Sequence, residues 1–145
     1  MSDITINIEV EINPTEDVEK VKHAVENIFG SIRFHVKLKT WGQMLIVKTS
    51  GTEVLTKLSN LLKREQILAA ARKVFRRGMD DDSVTFYLNK QVAYADHISF
   101  SQQTSESPLG PIKVQIRCSN PRKLIDWLAP RPPKQNPLSH KNRSV

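Results

Sequence analysis

Five aliphatic side chains at Ile4, Ile6, Ile8, Val10 and Ile12 are separated by Thr5, Asn7, Glu9 and Glu11. Successive side chains of a strand point to opposite faces, so this spacing commits the segment to a β-strand with one face buried and the other in water. A strand of that kind suits an antiparallel sheet covered on a single side. The run Asn13-Pro14-Thr15-Glu16-Asp17 then reads as a turn and helix start, with Thr15 or Asn13 as the expected cap and acids in the first turn. Val18, Val21, Ala24, Val25 and Ile28 recur at helical spacing, and Gly30 is the expected stop.

A second alternation follows, with Ile32, Phe34, Val36 and Leu38 on one face and Arg33, His35, Lys37 and Lys39 on the other. A turn at Trp41-Gly42-Gln43 and a third strand over 44–49 make a hairpin. Ser50-Gly51-Thr52 opens a long helical stretch with Val54, Leu55, Leu58, Leu61 and Leu62 as its apolar stripe. The stripe resumes out of phase at Ile67, Leu68, Ala71, Val74 and Phe75, so the slip over 63–66 predicts two helices or a kink. Beyond Gly78 and a loop of three aspartates, Val84, Phe86 and Leu88 alternate as a strand, and Asn89 is placed to cap a single helical turn through Tyr94. Strands over 98–101 and 112–118 flank a long loop. Asn120-Pro121 begins a short helix that Pro130 ends. The order β-α-β-β-α-α-β-β-β-α has no run of βαβ units, which predicts an α+β fold with helices packed on one face of an antiparallel sheet. Residues 1–129 are expected to form a single domain, or two small lobes at 1–78 and 79–129. Residues 130–145 carry four of the eight prolines and are expected to be a flexible basic tail.

The net charge of +7 is unevenly placed. Residues 1–31 hold seven acids and two bases, whereas residues 32–77 hold eleven bases and two acids. A concentrated positive surface attracts polyanions, RNA or DNA among them, more strongly than the same charge spread evenly. Arg33, Lys37 and Lys39 share one face of the second strand. Arg72, Lys73, Arg76 and Arg77 form two i,i+4 pairs on one helical surface, with Arg64 a little before them. The competing reading is that Glu9 and Glu11 of the first strand pair with the basic strand and cancel it. Lysines on an edge strand also discourage aggregation. Aromatic residues are sparse and form no RNA-recognition motif, so phosphates and shape are expected to dominate any RNA contact.

Signals for chemistry are weak. The four histidines lie far apart and none has metal-site spacing with Cys118, which points inward on a strand. The aspartates at 80–82 lack the alternation, glycine and distal glutamate of a calcium loop. Ser50-Gly51-Thr52 lacks the glycine-lysine pattern of a phosphate loop. No catalytic residue, metal or cofactor is therefore expected. A lone cysteine and an amino terminus without a basic-then-apolar segment lead us to expect a cytoplasmic protein. No apolar run approaches the ~18 residues of a membrane span, so no membrane partner is expected.

The segments Phe86-Tyr87-Leu88-Asn89-Lys90-Gln91-Val92-Ala93-Tyr94, Leu109-Gly110-Pro111-Ile112 and Ile125-Asp126-Trp127-Leu128-Ala129-Pro130 resemble those of a conserved archaeal family. Leu61-Leu62-Lys63-Arg64 and Ile67-Leu68-Ala69-Ala70-Ala71-Arg72 fit the same pattern, so the resemblance covers most of the chain except the tail. Members are described as uncharacterised, as predicted RNA-binding proteins or as exosome-subunit-like. The family's fold is similar to that of the large-subunit ribosomal protein that binds 5S ribosomal RNA. The resemblance implies an α+β domain with a candidate RNA surface, to which Lys90 and Gln91 would be the motif's exposed polar contributors. Asp96 departs from the pattern, since a glycine is expected before the returning strand. The leading expectation is a non-catalytic protein that grips structured or ribosomal RNA through Arg33, Lys37, Lys39, Arg64, the Arg72–Arg77 surface, Lys90 and Gln91. The alternative is a homodimeric or adaptor module whose basic surface meets an acidic protein.

Overall fold

The first alternation becomes β1 (Thr5–Ile12), and its aliphatic residues from Ile6 to Ile12 are all sealed from solvent. In the computed structural model, which describes residues 3–101 and 110–131, α1 (Val18–Phe29), β2 (His35–Lys39) and β3 (Gly42–Ser50) follow. Next come α2 (Glu53–Arg64), α3 (Leu68–Arg77), β4 (Ser83–Asn89) and the short α4 (Lys90–Tyr94). The chain continues through β5 (Phe100–Ser101), β6 (Pro111–Arg117) and α5 (Pro121–Leu128). The strands form one antiparallel sheet in the order β2-β3-β1-β6-β4-β5, so the fold is α+β. The expected tail beyond residue 131 and the loop residues 102–109 lie outside the described residues.

The sheet is buried on one side. Ile6, Ile8 and Val10 of β1 stand beside Ile116, Val114 and Ile112 of β6, and the same face continues into Leu45 and Val47 of β3 and Val84, Phe86 and Leu88 of β4. Helices supply the covering layer through Val21, Val25 and Ile28 of α1, Leu55, Leu58 and Leu62 of α2, Phe75 of α3 and Leu124 and Leu128 of α5. Phe75 seats α3 over the β4–β5 end of the sheet, with ring centroids 4.8 Å from Phe86 and 5.7 Å from Phe100. Aromatic pairs at these separations add packing energy beyond their buried area.

The phase slip is resolved as two helices. Gln66 adopts φ 58°, in the left-handed region, and so breaks the ladder between α2 and α3. Asp96, the position expected to be glycine, adopts φ 64°; aspartate is one of the few side chains that tolerate this conformation. Asn89 and Asn120 cap α4 and α5 as expected, accepting from the backbone N–H of Val92 and of Lys123.

Several expectations are corrected. The cap of α1 is Asp17, whose side chain accepts from Glu19 N–H at 2.9 Å, not Thr15 or Asn13. The preceding turn is used otherwise, because Asn13 donates both its backbone N–H and its side-chain amide to Glu16. The β2–β3 turn is Thr40-Trp41, one step earlier than expected, since Lys39 pairs directly with Gly42. Ile32 and Phe34 precede β2 rather than belonging to it, although they still pack against the core. Val36 and Leu38 were expected to face inward, yet they are 44% and 79% exposed. They do lie on the helix side, because Val36 pairs with buried Leu45, but β2 is an edge strand and the helical layer does not reach it.

Candidate nucleic-acid interface

Helix α3 presents its cations in two stripes, because a 3.6-residue turn puts positions 72 and 76 on one line and 73 and 77 about 100° away. Arg72 and Arg76 turn toward α5, whereas Lys73 and Arg77 are exposed on the adjoining surface. Between α3 and α5 lies a cleft of about 380 Å³ lined by Arg72, Arg76, Met79, Arg122, Ile125, Asp126 and Arg131. Four guanidinium groups thus surround one carboxylate, over an apolar floor of Met79 and Ile125.

The four arginines do not play the same part. Arg72 is nearly buried; it donates from Nη1 to the Ala129 carbonyl at 2.9 Å, and its Nη2 forms an ion pair with Asp126 Oδ1 at 2.9 Å. That clamp ties the end of α5 to α3 and pairs the one carboxylate of the cleft lining with its buried arginine. Arg76, Arg122 and Arg131 are exposed and make no ion pair among the described residues. Arginines outnumber the single carboxylate of the cleft lining four to one, while Asp80 and Asp81 line the adjoining pocket on the far side of Met79 and Arg122. Guanidinium forks match phosphate oxygens in a bidentate fashion, and they stay protonated across the physiological range.

Arg122 and Arg131 were not among the sequence candidates. A signal was present: Asn120-Pro121 marks a helix start, and Arg122 and Lys123 place two cations in its first turn, where the helix dipole disfavours positive charge. Cations placed where they weaken a helix do not serve to hold that helix together.

The other candidates scatter. Arg33, Lys37 and Lys39 sit on or next to β2, at the edge of the sheet with three strands between them and β4. At about 4.8 Å per strand that is roughly 19 Å from the strand beneath α3. The expected single basic surface is thus two separate zones. Glu9 and Glu11 do not neutralise the β2 zone by direct pairing. They stand opposite Ile46 and Met44 of β3, and those residues separate them from His35 and Lys37 by two strand spacings. No salt bridge joins Glu9 or Glu11 to a base among the described residues. Glu9 has Lys113 as its neighbour on β6.

Arg64 is engaged. Its Nη2 donates to the Asp96 carbonyl, Nη1 lies 3.8 Å from the Asp96 carboxylate, and Nε lies 3.3 Å from Glu65. Glu65 also meets His97 Nδ1 at 3.1 Å, and this imidazole, with Arg64, holds the carboxyl below its ordinary range. Arg64 therefore fastens the end of α2 to the left-handed turn after α4.

Lys90 is a correction. It was expected to be an exposed contact, but its side chain is sealed, with Nζ 2.7 Å from the Glu11 carbonyl and 3.0 Å and 3.2 Å from the two oxygens of Glu16. The reason is positional: the first residue of α4 follows β4 directly, so its stem runs under the β1–α1 turn rather than outward. Burial lowers its pKa, and the Glu16 carboxylate partly offsets that. Gln91, one residue on, is exposed.

Tyr94 belongs to the same network. Its hydroxyl donates to Glu16 Oε2 at 3.4 Å, and burial, reinforced by the Glu16 charge, pushes its pKa up to about 12. The folded chain thus holds this proton through a window in which an unfolded tyrosine, near pH 10, releases it. Stability contributed by Tyr94 is complete below about pH 10 and falls as pH rises toward 12. A spectrophotometric tyrosine titration of the folded protein is expected to show an ionisation near pH 12 that Tyr94→Phe removes. Persistence of that step in the variant would refute the assignment.

The open face of the sheet carries Asn7, Glu9, Glu11, Met44, Ile46, Thr85, Tyr87, Lys113 and Gln115. Among the described residues it offers one aromatic ring, Tyr87, amid both signs of charge, which is not a stacking platform for bases. Cys118 is buried, and desolvation raises its thiol pKa, as befits a core residue. Of the three aspartates, Asp80 accepts from Asp81 N–H and Asp82 faces Arg117 at 3.5 Å. Among the described residues no group of three His, Cys, Asp or Glu is placed to hold a metal, and no helix is long and apolar enough to cross a membrane.

Comparison with known proteins places the chain among relatives of the same architecture. A family profile described as RNA binding matches residues 5–118. A UPF0201 protein of Pyrobaculum arsenaticum is 43% identical over 127 residues, covering 87% of this chain and 89% of that protein. Another, of Sulfurisphaera tokodaii, is 41% identical over 133 residues, covering 92% of each. The crystal structure of the UPF0201 protein from Methanococcus jannaschii superposes with a TM-score of 0.78 at 34% identity, covering 90% of this chain and 96% of that one. With identity of this order along nearly the whole of each relative, and a TM-score of 0.78 to one of them, the chain belongs to the UPF0201 family of archaeal proteins and to the family described as RNA binding.

Proposed function

We propose that this is a non-catalytic, cytoplasmic RNA-binding protein that holds structured RNA, such as a ribosomal RNA, by its phosphate backbone in the α3–α5 cleft. The observation that carries this reading is the convergence of Arg76, Arg122 and Arg131 beside an Arg72–Asp126 clamp. Arg72 orders the cleft, the three unpaired arginines contact phosphate, and Lys73 and Arg77 extend the positive field along the exposed side of α3. Arg33, Lys37, Lys39 and Gln91 lie outside this cleft, and Arg64 and Lys90 are committed to internal contacts. The family description supports the class of ligand. The lining supports binding over catalysis, since guanidinium groups neither accept nor release protons at working pH.

Filter binding to a structured RNA across a salt series tests the proposal. Log affinity should fall linearly with log salt, with a slope of about −0.7 to −0.9 per phosphate contact. Replacing Arg76 and Arg122 together with alanine should flatten the slope by roughly two contacts and weaken binding by roughly tenfold for each at 0.1 M salt. No binding at ~50 mM salt, or an unchanged slope in the double variant, would retire the cleft as the site.

A further inference from the structure

We propose that the outer edge of β2 receives an extended acidic strand from another protein, adding a seventh strand to the sheet. Among the described residues β2 pairs with β3 alone, so its other edge presents unpaired N–H and C=O groups. All five of its residues are exposed. Its helix-side face carries Val36 and Leu38, continued by Trp41 at 42% exposure in the turn. Its open-side face carries His35, Lys37 and Lys39, with Arg33 just before them. Backbone groups, apolar side chains and cations are thus offered together along one line.

Charge selects the occupant. A second copy of β2, parallel or antiparallel, would bring His35, Lys37 and Lys39 against their own counterparts, and like charges on neighbouring strands are destabilising. Lysines that merely protect an edge need no apolar row on the opposite face; Leu38 at 79% exposed is the kind of residue such protection avoids. An RNA backbone would satisfy the cations and leave Val36, Leu38 and the backbone edge unserved. A strand that alternates acidic with apolar residues satisfies all three, by the main-chain pairing of β-augmentation. The sheet already contains such a sequence, since Glu9 and Glu11 alternate with Ile8, Val10 and Ile12 in β1, the other neighbour of β3.

The probe is a fluorescent, capped peptide alternating glutamate with valine over about seven residues, a typical strand length, with a lysine-for-glutamate twin as control. Anisotropy should show binding of the acidic peptide and none of its twin. Amide hydrogen exchange should slow in residues 35–39. Leu38→Asp and the double change Lys37→Glu with Lys39→Glu should each weaken binding about tenfold or more. Because these side chains are exposed, the variants should keep the parent's circular dichroism. Replacing Arg76 and Arg122 should leave peptide affinity unchanged, which separates this edge from the RNA cleft. The proposal is overturned if both peptides bind alike or neither binds. It is equally overturned by protection of 35–39 by RNA instead, or by a dimer of the protein alone that Leu38→Asp dissociates.

Discussion

Lys90→Met should destabilise the protein by about 3–5 kcal/mol, the usual cost of removing one partner from a buried ion pair. Methionine reproduces the length of the lysine stem, so packing is largely kept. What changes is that the Glu16 carboxylate, 7% exposed, loses the ammonium that compensates it. In a domain of this size that loss corresponds to a melting temperature lower by roughly 6–20 °C. Adding Glu16→Gln should recover part of it, because the stranded charge is removed as well. Denaturant melts of the parent, the two single variants and the double variant close the cycle. A Lys90→Met midpoint equal to the parent's would show that the pair contributes nothing. The pH dependence follows from the lowered lysine pKa. Between the folded value and the unfolded value of 10.5 the unfolded chain binds more protons, so this group's contribution to stability rises with pH across that window. Lys90→Met should abolish that rise.

Gly78→Ala should be nearly as damaging, by about 3 kcal/mol, at the upper end of the range for overpacking. The glycine's φ is −93°, a conformation any residue adopts, so the effect is steric rather than conformational. A methyl group there would lie 1.8 Å from the Thr85 carbonyl oxygen, which is backbone and cannot rotate away. The contact arises because Thr85 N–H donates to the Gly78 carbonyl at 2.9 Å, drawing the end of α3 onto the start of β4. Gly51→Ala is the control: its added carbon would meet nothing within 4 Å, and only its φ of 93° opposes the change. It should lose about 1 kcal/mol. Equal thermal stability of the two variants would count against this account.

Local chemistry made most elements legible. The spacing of Ile6, Ile8 and Val10 could serve only a half-buried strand, the slip between Leu62 and Ile67 required a break in the helix, and Asn89 and Asn120 acted within three residues of themselves. The fate of the charged groups was far less legible. Lys90 meets Glu16 across 74 positions of chain, and Arg72 meets the Ala129 carbonyl across 57. Nothing in the spacing of Arg72, Lys73, Arg76 and Arg77 distinguishes the one that is consumed by the fold from the three that remain in water.

The amino-acid sequence by itself determined which segments become strands and helices and the side on which most of their apolar residues lie, because hydrophobic periodicity acts over a few residues. The cap of α1, the limits of β2 and the exposure of Val36 and Leu38 were settled by the surrounding fold. Tertiary structure alone decided the strand order. That order carried Arg33, Lys37 and Lys39 to an uncovered edge, put Ile46 and Met44 between them and the acids of β1, and brought Arg122 and Arg131 to face Arg76. Electrostatic partnership depends on distance in space, and a side chain's charge carries no record of which distant segment will lie beside it.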